Sequence, residues 1–271
     1  MSKATLRQAM VALALIGGAP LAGSCQASPE AEAQAVPTRV MVRVVSRDAK
    51  IIGSGVGGAT VRVENVETGE VLAEGKQEGG TGDTRRIMST PRERDMMVYA
   101  TEGAAGYLAE LSLSAPTRVR ITGSGPLDYP QATQSASKTI LLVPGKHIEG
   151  DGAVLELHGF IVEVQAPEAG SEVGDRLEVT ARVRMMCGCP IEPGGLWDAN
   201  EKEVVARLKA GGEILASTPL EFSGRTSIFT GTLDVPRDAR GSEVQLEVLA
   251  SDAARANFGH HEITLGAEST R

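Results

Sequence analysis

Residues 175–185, DRLEVTARVRM, set Leu177, Val179, Ala181, Val183 and Met185 against Arg176, Glu178, Thr180, Arg182 and Arg184. Successive side chains point to opposite faces only in an extended strand, so this period of two puts one face in a core and the other in water. The pattern opens earlier, at Thr38, with Val40, Val42 and Val44 against Arg39 and Arg43, and recurs between clusters of Gly, Pro and Asn that punctuate it as turns. No helical period is sustained after the first residues. The chain is therefore read as all-β. Strands are predicted at 39–46, 59–65, 70–75, 96–101, 107–113, 118–122 and 138–143, then at 159–167, 175–185, 203–210, 213–219, 227–235, 243–250 and 260–265. Alternation restarts just after His158, which predicts two β-sandwich-like domains, 38–158 and 159–271, each near the usual size for such a fold.

The N-terminus is built differently. Lys3 and Arg7 precede an uncharged apolar run, 9–16, and then small residues leading to Cys25, which is the three-part layout of an export signal. The run is shorter than the roughly 20 residues needed to span a bilayer. Leu21-Ala22-Gly23-Ser24-Cys25 resembles the lipobox of bacterial lipoproteins, although Ala22 stands where that family most often has Leu. The resemblance implies removal of residues 1–24 as a signal peptide and lipidation of Cys25, whose acyl chains would hold the protein to a membrane. Gln26 after the Cys implies sorting to the outer membrane of a two-membrane bacterium, with the domains facing the periplasm or the cell surface. The alternative is ordinary secretion with cleavage near Ala22 or after Ala27. Residues 25–37 are mostly Ala, Glu, Gln and Pro, too poor in large apolar side chains to offset chain entropy, and are read as a tether.

Charge narrows the partners. Residues 1–24 carry two basic and no acidic side chains, so their loss takes the net charge from −8 to −10, which disfavours nucleic acid as a partner. At 3% aromatic content the chain has few rings on which bases could stack.

Two further resemblances concern the domains. Residues 55–75, GVGGATVRVENVETGEVLAEG, with a Thr68-Gly69 turn between two Val-rich strands, are similar to the transthyretin-like or carboxypeptidase-regulatory-like β-sandwich. Residues 159–167, GFIVEVQAP, and the closing run VQLEVLASDAARANFGHHEITL resemble the first and last strands of bacterial immunoglobulin-like domains, which implies that fold for 159–271.

Residues 53–58, GSGVGG, satisfy the dinucleotide-binding pattern, but that chemistry needs a helix N-terminus after the glycines and 59–65 reads as a strand, so the loop is a turn. The spacings of a nucleophile elbow, a zincin helix, a P-loop and an EF-hand do not occur in the sequence, and an enzymatic role is not expected.

The one chemically pointed segment is Met185-Met186-Cys187-Gly188-Cys189-Pro190. Thiolates and thioethers together suit Cu(I), and thiolates with imidazole suit Zn(II). An immunoglobulin-like topology places the loop after the second strand and the loop before the last strand at one end, which would bring His260 or His261 towards Cys187 and Cys189, with His158 as a neighbour. A copper or zinc site on Cys187, Cys189, His260 and His261 is one expectation for these residues. Free thiols, and a disulfide in an oxidising compartment, are the others.

The function expected is a non-enzymatic envelope lipoprotein that binds or scaffolds an envelope protein or polymer, and the alternative is a soft-metal carrier. If Cys25 is the anchor, Cys25→Ser should leave the mature chain in the soluble fraction of fractionated cells or leave the signal uncut. A Ser variant processed and membrane-bound like the parent would contradict the lipobox.

Overall fold

The computed structural model describes residues 34–266, so Cys25 and the signal segment lie outside the described residues. From Gln34 onward the chain forms one compact unit made almost wholly of strands. Among the described residues no helix is long and apolar enough to cross a membrane.

In the first half, β1 (Val36–Ser46) lies between β4 (Tyr107–Leu113) and β7 (Ile148–Leu157), antiparallel to the former and parallel to the latter. A second sheet of β2 (Ala59–Asn65), β3 (Val71–Gln77), β5 (Thr117–Gly125) and β6 (Gln134–Leu142) runs in the order β3-β2-β5-β6. Val40, Val42 and Val44 pack with Val61, Val63, Val119 and Ile121 in the core between the sheets, as the alternation predicts. The 65–70 segment turns β2 into β3, with Asn65 Oδ1 accepting the Glu67 N–H at 2.8 Å.

The second half holds β8 (Phe160–Ala166), β9 (Arg176–Met185), β10 (Glu203–Ala210), β11 (Glu213–Pro219), β12 (Glu221–Phe222), β13 (Ile228–Asp234), β14 (Val244–Asp252) and β15 (Asn257–Leu265). Its sheets, β12-β13-β9-β8 and β11-β10-β14-β15, have the strand order of an immunoglobulin-like sandwich. Leu177, Val179, Ala181, Val183 and Met185 all enter its core.

Two local expectations fail for one reason. Residues 96–101, predicted as a strand, do not form one, and residues 148–157, not predicted as one, do. Gly150 and Gly152, both left-handed (φ +66° and +70°), make β7 bulge beside β1 and aim Asp151 outward. The Asp151 carboxylate then accepts the backbone N–H groups of Val98, Tyr99 and Ala100 at 2.6–2.7 Å, partners that a neighbouring strand would otherwise supply. Arg43, buried beside it, donates to the carbonyls of Ala104, Ala105 and Gly150. Together they pin the long excursion between β3 and β4 over a small core of Val45, Ile51, Ile87, Val98 and Ala105. Strand pairing also starts earlier than predicted elsewhere: Val36 already faces Leu113, β6 begins at Gln134 rather than Lys138, and β15 begins at Asn257 rather than His260.

The halves meet along a buried seam. Only His158 and Gly159 separate β7 from β8, and Phe160 and Val162 enter the second core while Ile161 enters the first. Met185 and Met186 divide the same way. Gly188, left-handed at φ +78°, lies so close that a Cβ there would come within 2.8 Å of Val56 Cγ1. Polar groups complete the contact. The Lys202 ammonium is bound by the Asp252 carboxylate, with side chains only 1% and 2% exposed. Arg255 reaches Asp252 at 3.1 Å, Glu201 at 3.0 Å and Asp48 at 2.8 Å, and the Trp197 indole N–H donates to the Asp48 carbonyl at 2.7 Å.

Burial by itself raises the Asp252 pKa, but hydrogen bonds and charge from Lys202 and Arg255 more than reverse this and hold the carboxyl below its ordinary value. A depressed carboxylate stabilises the fold above its unfolded pKa, near 4, and this contribution is lost as pH falls through the folded value. Asp252→Ala is expected to cost about 3–5 kcal/mol in urea unfolding at neutral pH, because Lys202 is left buried with only the more distant Glu201, at 3.8 Å, as counter-charge. Asp252→Asn should flatten the loss of stability below about pH 4. Unchanged stability in the Ala variant would place the seam's strength in its apolar contacts alone.

Candidate functional site

Cys187 and Cys189 are joined in a disulfide, 5% and 6% exposed, within the second core. The loop they close follows β9 and turns sharply, with the Gly188 N–H on the Met185 carbonyl at 2.8 Å. Met185 and Met186 are wholly buried on opposite sides of the seam.

The structure does not gather the imidazoles around these sulfurs. The two loops do share one end of the sandwich, since Arg255 meets Glu201, but β15 starts three residues earlier than predicted and carries both histidines down into the sheet. His261 Nδ1 accepts the Val164 N–H at 3.0 Å, and Val164 lies opposite Ala181. That level is four strand residues from Met185, about 13 Å along the strand at 3.3 Å each, and Cys187 lies beyond it. His260 is exposed on the outer face, its Nδ1 3.5 Å from Glu247. His158 bonds the Ala256 carbonyl through Nδ1 at 3.0 Å, and its Nε2 lies 3.5 Å from Glu156. Among the described residues no three His, Cys, Asp or Glu side chains converge as metal ligands. With the sulfurs bonded to each other, neither is a thiolate, the form in which cysteine binds metal, so copper or zinc could use this loop only after its reduction.

Among the concave features of the described residues is a cleft of about 380 Å³ on the seam; a larger and more open one of about 580 Å³ lies on the excursion alone, over Arg85, Arg86 and Met96. Arg47 and Asp48 reach the seam cleft from the end of β1, Met88, Thr90, Arg92 and Tyr99 from the pinned excursion, Glu156 from β7 and Arg255 from the turn before β15. Its wall is mainly polar over a floor containing Ile87 and Met88. Two guanidinium groups are already committed, Arg47 to Glu156 at 3.1 Å and Arg255 to Asp48 at 2.8 Å. Among the described residues Arg92 makes no ion pair, and its side-chain polar contact is a long one, 3.5 Å to the Tyr99 hydroxyl. Burial raises the Asp48 pKa, and the charges of Arg255, Lys202 and Arg47 oppose the rise. A planar guanidinium with open donors, beside a phenol and a thioether, is suited to a carboxylate or another oxyanion carried on a partly apolar segment.

Sequence reasoning did not select Arg92. The usable signal was the concentration of Arg85, Arg86, Arg92 and Arg94 in a stretch free of regular alternation.

His261 has a structural role that can be measured. Its bond to Val164 joins β8, on one sheet, to β15, on the other, and needs an unprotonated Nδ1. Burial lowers its pKa, with the charge of Glu163 opposing and that of His260 adding to the shift. The unfolded chain therefore takes up the proton first as pH falls through about 6.5, and stability declines. His261→Gln keeps an acceptor without titrating, so unfolding free energies between pH 7.5 and 5.5 should fall less steeply than in the parent. Identical slopes would remove His261 from the account.

No family model matches the chain, and no curated protein matches it. Among solved structures it is similar, over 43% of its length and 22% of the other chain, to a crystal structure of an engineered protein, at 16% identity and a TM-score of 0.29. A likeness of that size carries no inference about this chain.

Proposed function

We propose that this chain is an exported lipoprotein, held to a membrane through Cys25, that serves the cell envelope as a non-enzymatic binding or scaffolding module. The seam cleft is its docking point for an envelope protein or polymer that presents an anionic group. The observation that carries this reading is Arg92, whose guanidinium faces a cleft assembled from four separate chain segments with donors left open. Such a site binds by geometry and charge: the fold holds its walls, and the ligand supplies the missing acceptor. The export signal and lipobox resemblance support the location, and the absence of extended basic or aromatic surface in the sequence supports a protein or polymer over nucleic acid.

The test is site-specific photo-crosslinking in cells, with a benzophenone side chain replacing Thr90 in the cleft or Ile214 on the second half. An adduct should form from position 90, be absent from position 214, and vanish with Arg92→Glu. Where the partner is then purified, Arg92→Ala should weaken its binding by about 1.5–3 kcal/mol, the usual worth of a charge-assisted hydrogen bond. Adducts that ignore the Arg92 substitution, or that form equally from both positions, would overturn the assignment of the cleft.

A further inference from the structure

Five large apolar side chains stand exposed around one end of the first sandwich: Val36, Val66, Val71, Leu141 (59% exposed) and Val143. Register explains why they share a place. The β2–β3, β4–β5 and β6–β7 turns all lie at the end where β1 begins, since Val36 faces Leu113 and Thr117 faces Leu142. Leu141 lies opposite Arg118, and the Val66 N–H bonds the Arg118 carbonyl, so Val66, Arg118 and Leu141 form one outward row across the sheet. The next row reads Val71, Glu64, Arg120 and Thr139. Val143 extends the patch towards Val36, through Gly145, where a Cβ would lie 3.3 Å from Val36 Cγ1.

The charges at this pole are distinctive in an acidic protein. Arg118 and Arg120 are exposed and, among the described residues, make no ion pair or side-chain hydrogen bond, and Lys146 is exposed in the β6–β7 turn at the same end. Glu67 and Glu70 are exposed at the β2–β3 tip, and Glu64, the cross-strand neighbour of Arg120, is taken by Arg62 at 3.0 Å. The chain leaves the fold at this same pole. Ten residues lie between Cys25 and Val36, and the eleven steps from one to the other reach at most about 38 Å.

We infer that this pole is the face the protein lays on its membrane, with the valines and Leu141 against the headgroup layer and Arg118, Arg120 and Lys146 on anionic headgroups. Long basic side chains and apolar neighbours combine in this way at lipid interfaces. The inference rests on the lipid-anchor reading and adds an orientation to it. β1 runs about 33 Å from this pole to the seam, so the cleft and the second sandwich project away from the bilayer.

The acylated full chain, reconstituted into phosphatidylcholine–phosphatidylglycerol vesicles carrying nitroxide-labelled lipid, tests the orientation. A fluorophore is placed on Leu141→Cys or, as control, on Ile214→Cys; the buried Cys187–Cys189 disulfide leaves the introduced thiol as the target. The label at 141 should be quenched several-fold more than that at 214, and Arg118→Glu with Arg120→Glu should abolish most of the difference. Equal quenching at both positions in vesicle-bound protein would overturn the orientation alone, and quenching unaffected by the Glu substitutions would overturn the role of the arginines. If the parent fails to float with vesicles, the lipid anchor falls, and the orientation with it.

Discussion

A link of two residues, His158 and Gly159, allows the two sandwiches almost no separation, and the packing around it removes what remains. Adjacent residues on both sides of the seam are shared out between cores: Phe160 against Ile161, and Met185 against Met186. Each half therefore plugs the other with side chains that water would otherwise meet. The Lys202–Asp252 pair lies under this contact, and Arg255 ties it to Asp48 of the first half. Removing charges from water is costly unless each is matched, so this cluster enforces one relative placement more than it adds cohesion.

That placement creates the cleft. Arg47 and Asp48 leave β1, Glu156 ends β7, and Arg255 precedes β15, so three of its walls belong to the seam itself. The fourth is the excursion between β3 and β4, held by three N–H groups on Asp151 and by Arg43 beneath it. A loop of this length would ordinarily be the least stable part of such a fold. Here its hydrogen bonds and its small apolar core carry Arg92 and Tyr99 to a defined edge of the cleft. The proposed reading of the protein as a binding module rests on that construction, with one end of the first sandwich proposed to face the membrane and the cleft turned from it.

The strands were legible wherever one face met the core and the other met water. β2, β4, β10 and β11 fall within the predicted bounds, and Val40, Val42 and Val44 part from Arg39 as parity requires, but Arg43, expected on the wet face, is buried with Val45 because the excursion covers that side of β1. Parity also turned His261 inward and His260 outward. It could not show how far along the strand each would sit, and β15 starting at Asn257 moved both out of reach of Cys187 and Cys189. The excursion misled in the opposite sense: 96–101 is an apolar run bounded by polar residues, as a short strand would be, yet three of its backbone N–H groups are held by one carboxylate fifty residues away.

By itself the sequence determined the all-β class, the restart of alternation after His158, the immunoglobulin-like pattern of the second half and the signal-like N-terminus, because each depends on residues that are neighbours in the chain. Tertiary structure alone decided that Cys187 and Cys189 bond to each other, that Asp151 holds a loop, that Arg92 is left with open donors and that five exposed apolar residues collect at one pole. Those outcomes depend on strand register and on the seam between sandwiches, where residues over a hundred positions apart come within hydrogen-bonding distance, and no local pattern carries that information.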